Sequence, residues 1–137
     1  MTATVEPTTD LLTVKGPLIG LPHLRRMVMV RQDAIEPFLW LVSLDDHNVA
    51  FVVTDAPAMF SGYVPSLPPD SEFRNRLGAE EKPIILAIVL IAPEWQQSTA
   101  NLRAPLFISA SRMTGAQIVL PDNSYSVGAP LPLAMAA

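Results

Sequence analysis

The sequence contains no cysteine, which removes disulfide staples, thiol catalysis and thiolate metal sites from consideration. Histidine is nearly as scarce: His23 and His47 are the two present. No G-x-S-x-G segment accompanies them, so a hydroxyl nucleophile with a positioned base is not signalled. The six glycines stand singly, and neither G-x-x-x-x-G-K nor G-x-G-x-x-G occurs, so no phosphate-cradling loop is indicated. Basic charge is in deficit. Nine Lys and Arg against thirteen Asp and Glu give a formal charge of -4 and a pI near 5.0. The phosphate neutralisation that dominates nucleic-acid affinity therefore has no evident source, and direct binding to DNA or RNA is not expected. Long apolar runs are also missing. Ile84–Pro93 extends about ten residues against the roughly 20 needed to span a bilayer. Met1–Asp10 is polar and acidic where an export signal would be basic and then apolar. The expectation is a cytoplasmic protein without a membrane segment.

What is abundant is apolar residues and proline. Hydrophobic residues make up 50% of the 137 and charged residues 16%, the composition of a chain with a packed core rather than a disordered one. Fourteen prolines each fix φ and remove an amide donor, which argues against long helices. The length predicts one domain, with Met1–Asp10 as a flexible leader, residues 11–127 as the folded unit and Gly128–Ala137 as an extended tail. Strands are expected at Leu11–Val14, Met27–Arg31, Phe38–Leu44, Val49–Thr54, Ile84–Ala92, Leu102–Ser109 and Ala116–Leu120. Phe38–Leu44 and Val49–Thr54 flank Asp45-Asp46-His47-Asn48, whose short polar side chains bond back to the backbone, and together read as a hairpin. Asp55–Pro69 carries four prolines and Gly62, and reads as a loop held partly extended. Asp70–Leu77 reads as a two-turn helix with Phe73 and Leu77 on one face. Ile84–Ala92 is uniformly apolar, the pattern of a central strand covered on both faces. The fold class is mainly β: a small antiparallel barrel or roll of about seven short strands with one short helix.

Few residues invite chemistry. Asp45, Asp46 and His47 offer oxygen and imidazole ligands, but neighbours on a hairpin tip rarely converge on one ion, and turn chemistry accounts for them. Glu80-Glu81-Lys82 reads as a solvated connector. Trp40, at a strand centre, reads as core, whereas Trp95 follows Pro93 in a polar segment and is a candidate contact residue. No cofactor and no metal are implied. Two readings stay open on the residues alone: a protein-binding β domain, or a small-ligand barrel or enzyme with a pocket near Trp40, Tyr63 and His47.

Five ordered blocks resemble the FliW family of bacterial flagellar assembly factors. Pro37–Asp55 (PFLWLVSLDDHNVAFVVTD) is similar to a family block containing PFxWLQS and a following AF strand. Thr99–Ile108 (TANLRAPLFI) is similar to T-x-NL-x-AP-x-x-I. Gly115–Leu120 (GAQIVL) resembles a GxQ-x-x-L strand, with Asp122 and Tyr125 after it. Gly20-Leu21 with Met27–Val30 fits the entry to the fold, and Tyr63 with Ile84–Pro93 fits its middle. On these motifs Trp40, Phe51, Asn101, Pro105, Gln117 and Tyr125 are structural positions. The chain departs from the pattern at Val42, where Gln is common, at Leu21, where Phe is common, and at Val127-Gly128-Ala129, where a basic pair follows the final Tyr.

The resemblance implies a non-enzymatic regulator that binds CsrA, a small dimeric RNA-binding translational repressor, and relieves its repression of flagellin messenger RNA. It also implies binding to flagellin, which titrates the factor away from CsrA. Candidates for an acidic partner-binding face are Asp45, Asp46, Asp55, Asp70, Glu72, Glu80 and Glu81, with Trp95 beside them. An acidic domain docked near a basic RNA-binding surface opposes RNA binding through its field. Closure of a barrel removes strand edges and favours a monomer.

Overall fold

The computed structural model describes residues 6–14, 25–46, 48–68, 73–74, 77, 81–121 and 125–132. Its strands are β1 (Glu6–Val14), β2 (Arg26–Arg31), β3 (Leu39–Ser43), β4 (Ala50–Asp55), β5 (Ile84–Leu90), β6 (Thr99–Ala100), β7 (Leu106–Ser109), β8 (Thr114–Gln117) and β9 (Ala129–Pro130), with one short helix, α1 (Ala56–Met59). The sheet order is β4-β3-β2-β1-β8-β7-β5-β6-β9, and β4 also pairs with β5. The ladder therefore returns on itself through β1, β2, β3, β4, β5, β7 and β8, while β6 and β9 extend from the far end of β5. Among the described pairings all are antiparallel except β1–β8, which is parallel over Thr13↔Thr114 and Val14↔Gly115. This is the mainly β roll with one short helix that the strand spacing predicts, and the seven ring strands correspond to the seven expected runs.

The strand alternation decides what is inside. Met27, Leu41, Val53, Leu86, Leu106 and Ile108 come from five strands and form one buried cluster in the ring interior. The opposite faces of β4 and β5 carry a second cluster, Ala56, Tyr63, Ala87, Val89, Ala100 and Leu102, under α1 and the segment after it. A third, Leu67, Phe73, Phe107, Ala116 and Leu120, lies beneath the continuation of that segment. The proline-rich excursion between β4 and β5 thus seals one outer face of the ring. Burial of apolar surface from both faces of β4, β5 and β7 is the dominant favourable term holding it together.

Several boundaries differ from the sequence reading. β1 begins at Glu6 rather than Leu11, so part of the expected leader is strand, paired Glu6↔Arg31 and Pro7↔Val30 with a register irregularity before Leu11. Backbone ladders define this strand, and the Thr-rich sequence shows no apolar alternation to reveal it. The tail likewise opens in β9, where Ala129↔Ala100 and Pro130↔Thr99 pair. The described helix is α1, inside the stretch expected to be loop. Asp55 accepts from Ala58 N at 3.3 Å and Pro57 sits in the first turn, where the missing amide would have had no intrahelical partner. The helix expected over Asp70–Leu77 lies largely outside the described residues. Of it, Phe73 is buried and Leu77 half-buried. The β7–β8 turn uses residues 110–113, with Met113 at φ 49, and Gly115 is within β8.

Candidate partner-binding surface

The acidic residues divide by the work they do in the fold. Asp45 Oδ2 accepts from the backbone N–H groups of Arg25 and Arg26, each at 2.7 Å, and Oδ1 accepts from Arg26 Nε at 3.3 Å. The two backbone bonds, Arg26 first and then Arg25, hold the carboxyl below its ordinary range, because hydrogen bonds to the charged form favour it. The same turn is closed by Ser43 Oγ, which accepts from Asp45 N and Asp46 N at 3.1 and 2.9 Å, and by Asp46 Oδ1, which accepts from Asn48 N at 3.1 Å. Glu81 reaches across to the β7–β8 turn: Oε1 accepts from Ser109 Oγ and Ser111 Oγ, both at 2.9 Å, and Oε2 from Ser111 N at 3.0 Å. Asp55 caps α1. Asp45, Asp46, Asp55 and Glu81 are therefore all engaged in local structure. Asp70, Glu72, Glu80 and His47 lie outside the described residues, as do His23 and Asp122.

The motif residues, by contrast, converge. Phe51 on β4 and Asn101 after β6, far apart in sequence, line one groove of about 420 Å³ with Ala50, Val52, Ile88, Val89, Leu90, Thr99 and Val127. The groove lies where the β4–β5 ladder stops, since Val52↔Val89 is its last pair. Trp40 lines an adjoining groove of about 360 Å³ with Ile35, Glu36, Phe38 and Ile91, and Val52 is common to both. Trp40 is half-buried, not core. Leu41 and Ser43 point inward from β3, which turns Trp40 outward, where its Nε1 donates to Gln32 Oε1 at 2.8 Å. Leu90 is 73% exposed, Val127 66%, Ile91 52% and Trp95 50%. Leu90 and Ile91 depart from the expectation that all of Ile84–Ala92 is covered on both faces. The cover ends at Val89, with the β4 ladder. Val127 is one of the positions at which the basic pair of the FliW pattern is absent.

The remaining motif positions are structural. Asn101 Oδ1 accepts from Arg103 N and Ala104 N at 3.1 and 3.0 Å, an Asx-type turn. Gln117 Nε2 donates to Ala104 O at 3.1 Å, and Pro105 is fully buried at the entry to β7. Tyr63 is buried, donates its hydroxyl to Leu102 O at 2.6 Å and meets Tyr125 edge-on at 4.8 Å. Burial pushes the Tyr63 phenol up. Tyr63 is packed in the core, while Trp40 stands on an outer groove that Tyr63 does not line. Among the described residues that line it Glu36 is the one ionisable group, and the convergent polar groups of a small-molecule site are not found among them. Among the described residues no group of three or more His, Asp or Glu could hold a metal ion, and no helix is long and apolar enough to cross a membrane.

The model of the FliW protein family matches residues 2–131. The chain belongs to the FliW family. It is 33% identical over 129 residues to flagellar assembly factor FliW 2 of Desulfotalea psychrophila, covering 93% of this chain and 83% of that one. It is 32% identical over 115 residues to flagellar assembly factor FliW of Symbiobacterium thermophilum, covering 83% of each. A crystal structure of the flagellar assembly factor FliW superposes with a TM-score of 0.79 at 22% identity, over 90% of this chain and 86% of that chain. At that identity the likeness speaks for the fold, and it is the FliW fold. The blocks that carried the resemblance are the ones that build the paired grooves: Trp40 and Phe51 come from the Pro37–Asp55 block and Asn101 from the Thr99–Ile108 block.

Proposed function

We propose that this FliW-family chain acts in flagellar assembly as a protein-binding regulator in the cytoplasm. It engages the RNA-binding translational repressor CsrA, relieves repression of flagellin messenger RNA, and is itself drawn off CsrA by free flagellin. The observation that carries the reading is the family match across residues 2–131. Two physical features support it. The surface offers contiguous apolar grooves, which on soluble proteins mark sites for other macromolecules, and the charge of -4 is opposite in sign to what an RNA-binding partner must carry. A regulator of this kind needs no catalytic group: it lowers RNA affinity by occupying or reshaping the partner and by setting an acidic field beside the phosphate-binding surface. Calorimetric titration of this chain into purified CsrA, repeated with CsrA already saturated by a flagellin-leader RNA, tests the reading. Binding in the micromolar range or tighter, weakened when RNA is present, is expected; no heat at such concentrations overturns it.

A further inference from the structure

We propose that the paired grooves at the open end of the β4–β5 ladder are the docking surface for the RNA-binding partner, and that this partner inserts apolar side chains flanked by Lys or Arg. The inference rests on the functional reading above and deepens it by locating the contact. Leu90 and Ile91 stand on successive residues, and one lines each groove, with Val52 shared between them. Leu90 at 73% exposure and Val127 at 66% are held outward by strand and turn backbone rather than by lack of order. Gly128 N donates to Ser126 Oγ at 3.0 Å across Val127, and Ala100↔Val89 with Thr99↔Leu90 pins the end of β5. An apolar strip on a rigid scaffold can bind without paying to order itself.

The charge around the strip selects the partner. Glu36 lines the Trp40 groove; Asp33 is exposed in the preceding 3-10 turn, and Glu94 is exposed between Ile91 and Trp95. The cations nearest along the chain are Arg31, at the end of β2, and the half-buried Arg103, two residues past Asn101. An acidic rim around an apolar floor complements a surface with basic residues around apolar anchors, and a protein that neutralises RNA phosphates has such residues in supply. The local charge therefore points to a partner with basic residues at its contact surface, as an RNA-binding protein has. Buried apolar anchors at its centre are expected to set the dissociation rate, and the rim charges the association rate and its salt dependence.

Binding of purified CsrA to the full chain and to the variants Leu90→Asp, Ile91→Asp and Val127→Asp tests the assignment, with Val64→Asp and Val119→Asp as controls on exposed apolar residues outside the strip. All five positions are exposed, and melting curves matched to wild type establish that each variant is folded. Any strip variant that fails this check is replaced in the comparison by the others, Val127 lying on a separate segment from Leu90 and Ile91. The expected result is a loss of affinity of tenfold or more at Leu90 and Ile91, with the controls within about twofold of wild type. Glu36→Lys is expected to slow association and flatten its dependence on salt. Wild-type affinity in the strip variants overturns the groove assignment while leaving the functional reading standing, as does a loss of flagellin binding with CsrA binding retained. Failure of the wild-type chain itself to bind CsrA overturns both.

Discussion

A buried phenol must spend its hydroxyl, and Tyr63 spends it on Leu102 O at 2.6 Å, tying the loop after α1 to the Asn101–Pro105 turn. Tyr63→Phe keeps the ring against Tyr125 but leaves that carbonyl without its donor, at a cost of about 1–2 kcal/mol; denaturant unfolding at neutral pH measures it. Asp45 supplies a pH-dependent counterpart. Its carboxyl is lowered from the ordinary 3.8, chiefly by the Arg26 and Arg25 backbone bonds, so the folded state binds the proton more weakly than the unfolded state. Its stabilisation is complete above the ordinary carboxylate value and is lost as pH falls through the folded one. Asp45→Ala is therefore expected to melt below wild type at pH 7, with the gap narrowing in melting curves taken below about pH 3.8. The side chain most readily misjudged at this scale is Trp40. An aromatic at a strand centre suggests core, but parity along β3 gives the interior to Leu41 and Ser43, and Trp40 becomes groove wall.

At the scale of elements, α1 depends on a single capping side chain. Asp55→Ala removes the acceptor for Ala58 N and is expected to lower stability by about 1 kcal/mol, read as a lower denaturant midpoint at unchanged slope. The long, β-branched and aromatic elements were legible in the sequence. β3 and β4 were apparent as a hairpin because Phe38–Leu44 and Val49–Thr54 combine strand residues with an Asp-rich turn, and the observed registers Leu39↔Val53 and Trp40↔Val52 follow from it. The short elements were not legible. β6 and β9 are two residues each, too short to show a period, and exist because the end of β5 offers them an edge. α1 was hidden because proline reads as a helix breaker except in a first turn. The grooves could not be seen in any one segment, since Phe51, Leu90, Asn101 and Val127 meet only after the sheet has curled. What the sequence did carry was their membership in motifs, through Trp40, Phe51 and Asn101.

At the scale of the molecule, the curl of one sheet separates two tasks. The ring interior and the face under the β4–β5 excursion hold the fold together, while the end where the β4–β5 ladder stops presents apolar side chains that the fold leaves uncovered. Of the acidic side chains expected to form a binding face, Asp45, Asp46, Asp55 and Glu81 each hold backbone or hydroxyl donors in turns and caps. Under the proposed assignment the molecule's negative charge acts on the partner as a field, and the contact itself falls to the apolar strip with Glu36, Asp33 and Glu94 around it. On this account the protein changes the fate of a messenger RNA without touching it. The direct measurement is fluorescence anisotropy of a labelled flagellin-leader RNA bound to CsrA, with this chain titrated in and flagellin added afterwards. Anisotropy is expected to fall to the free-RNA value as the chain is added and to recover when flagellin is supplied. An anisotropy that stays at the bound value, or rises because the chain joins the RNA complex without releasing it, overturns the proposed function.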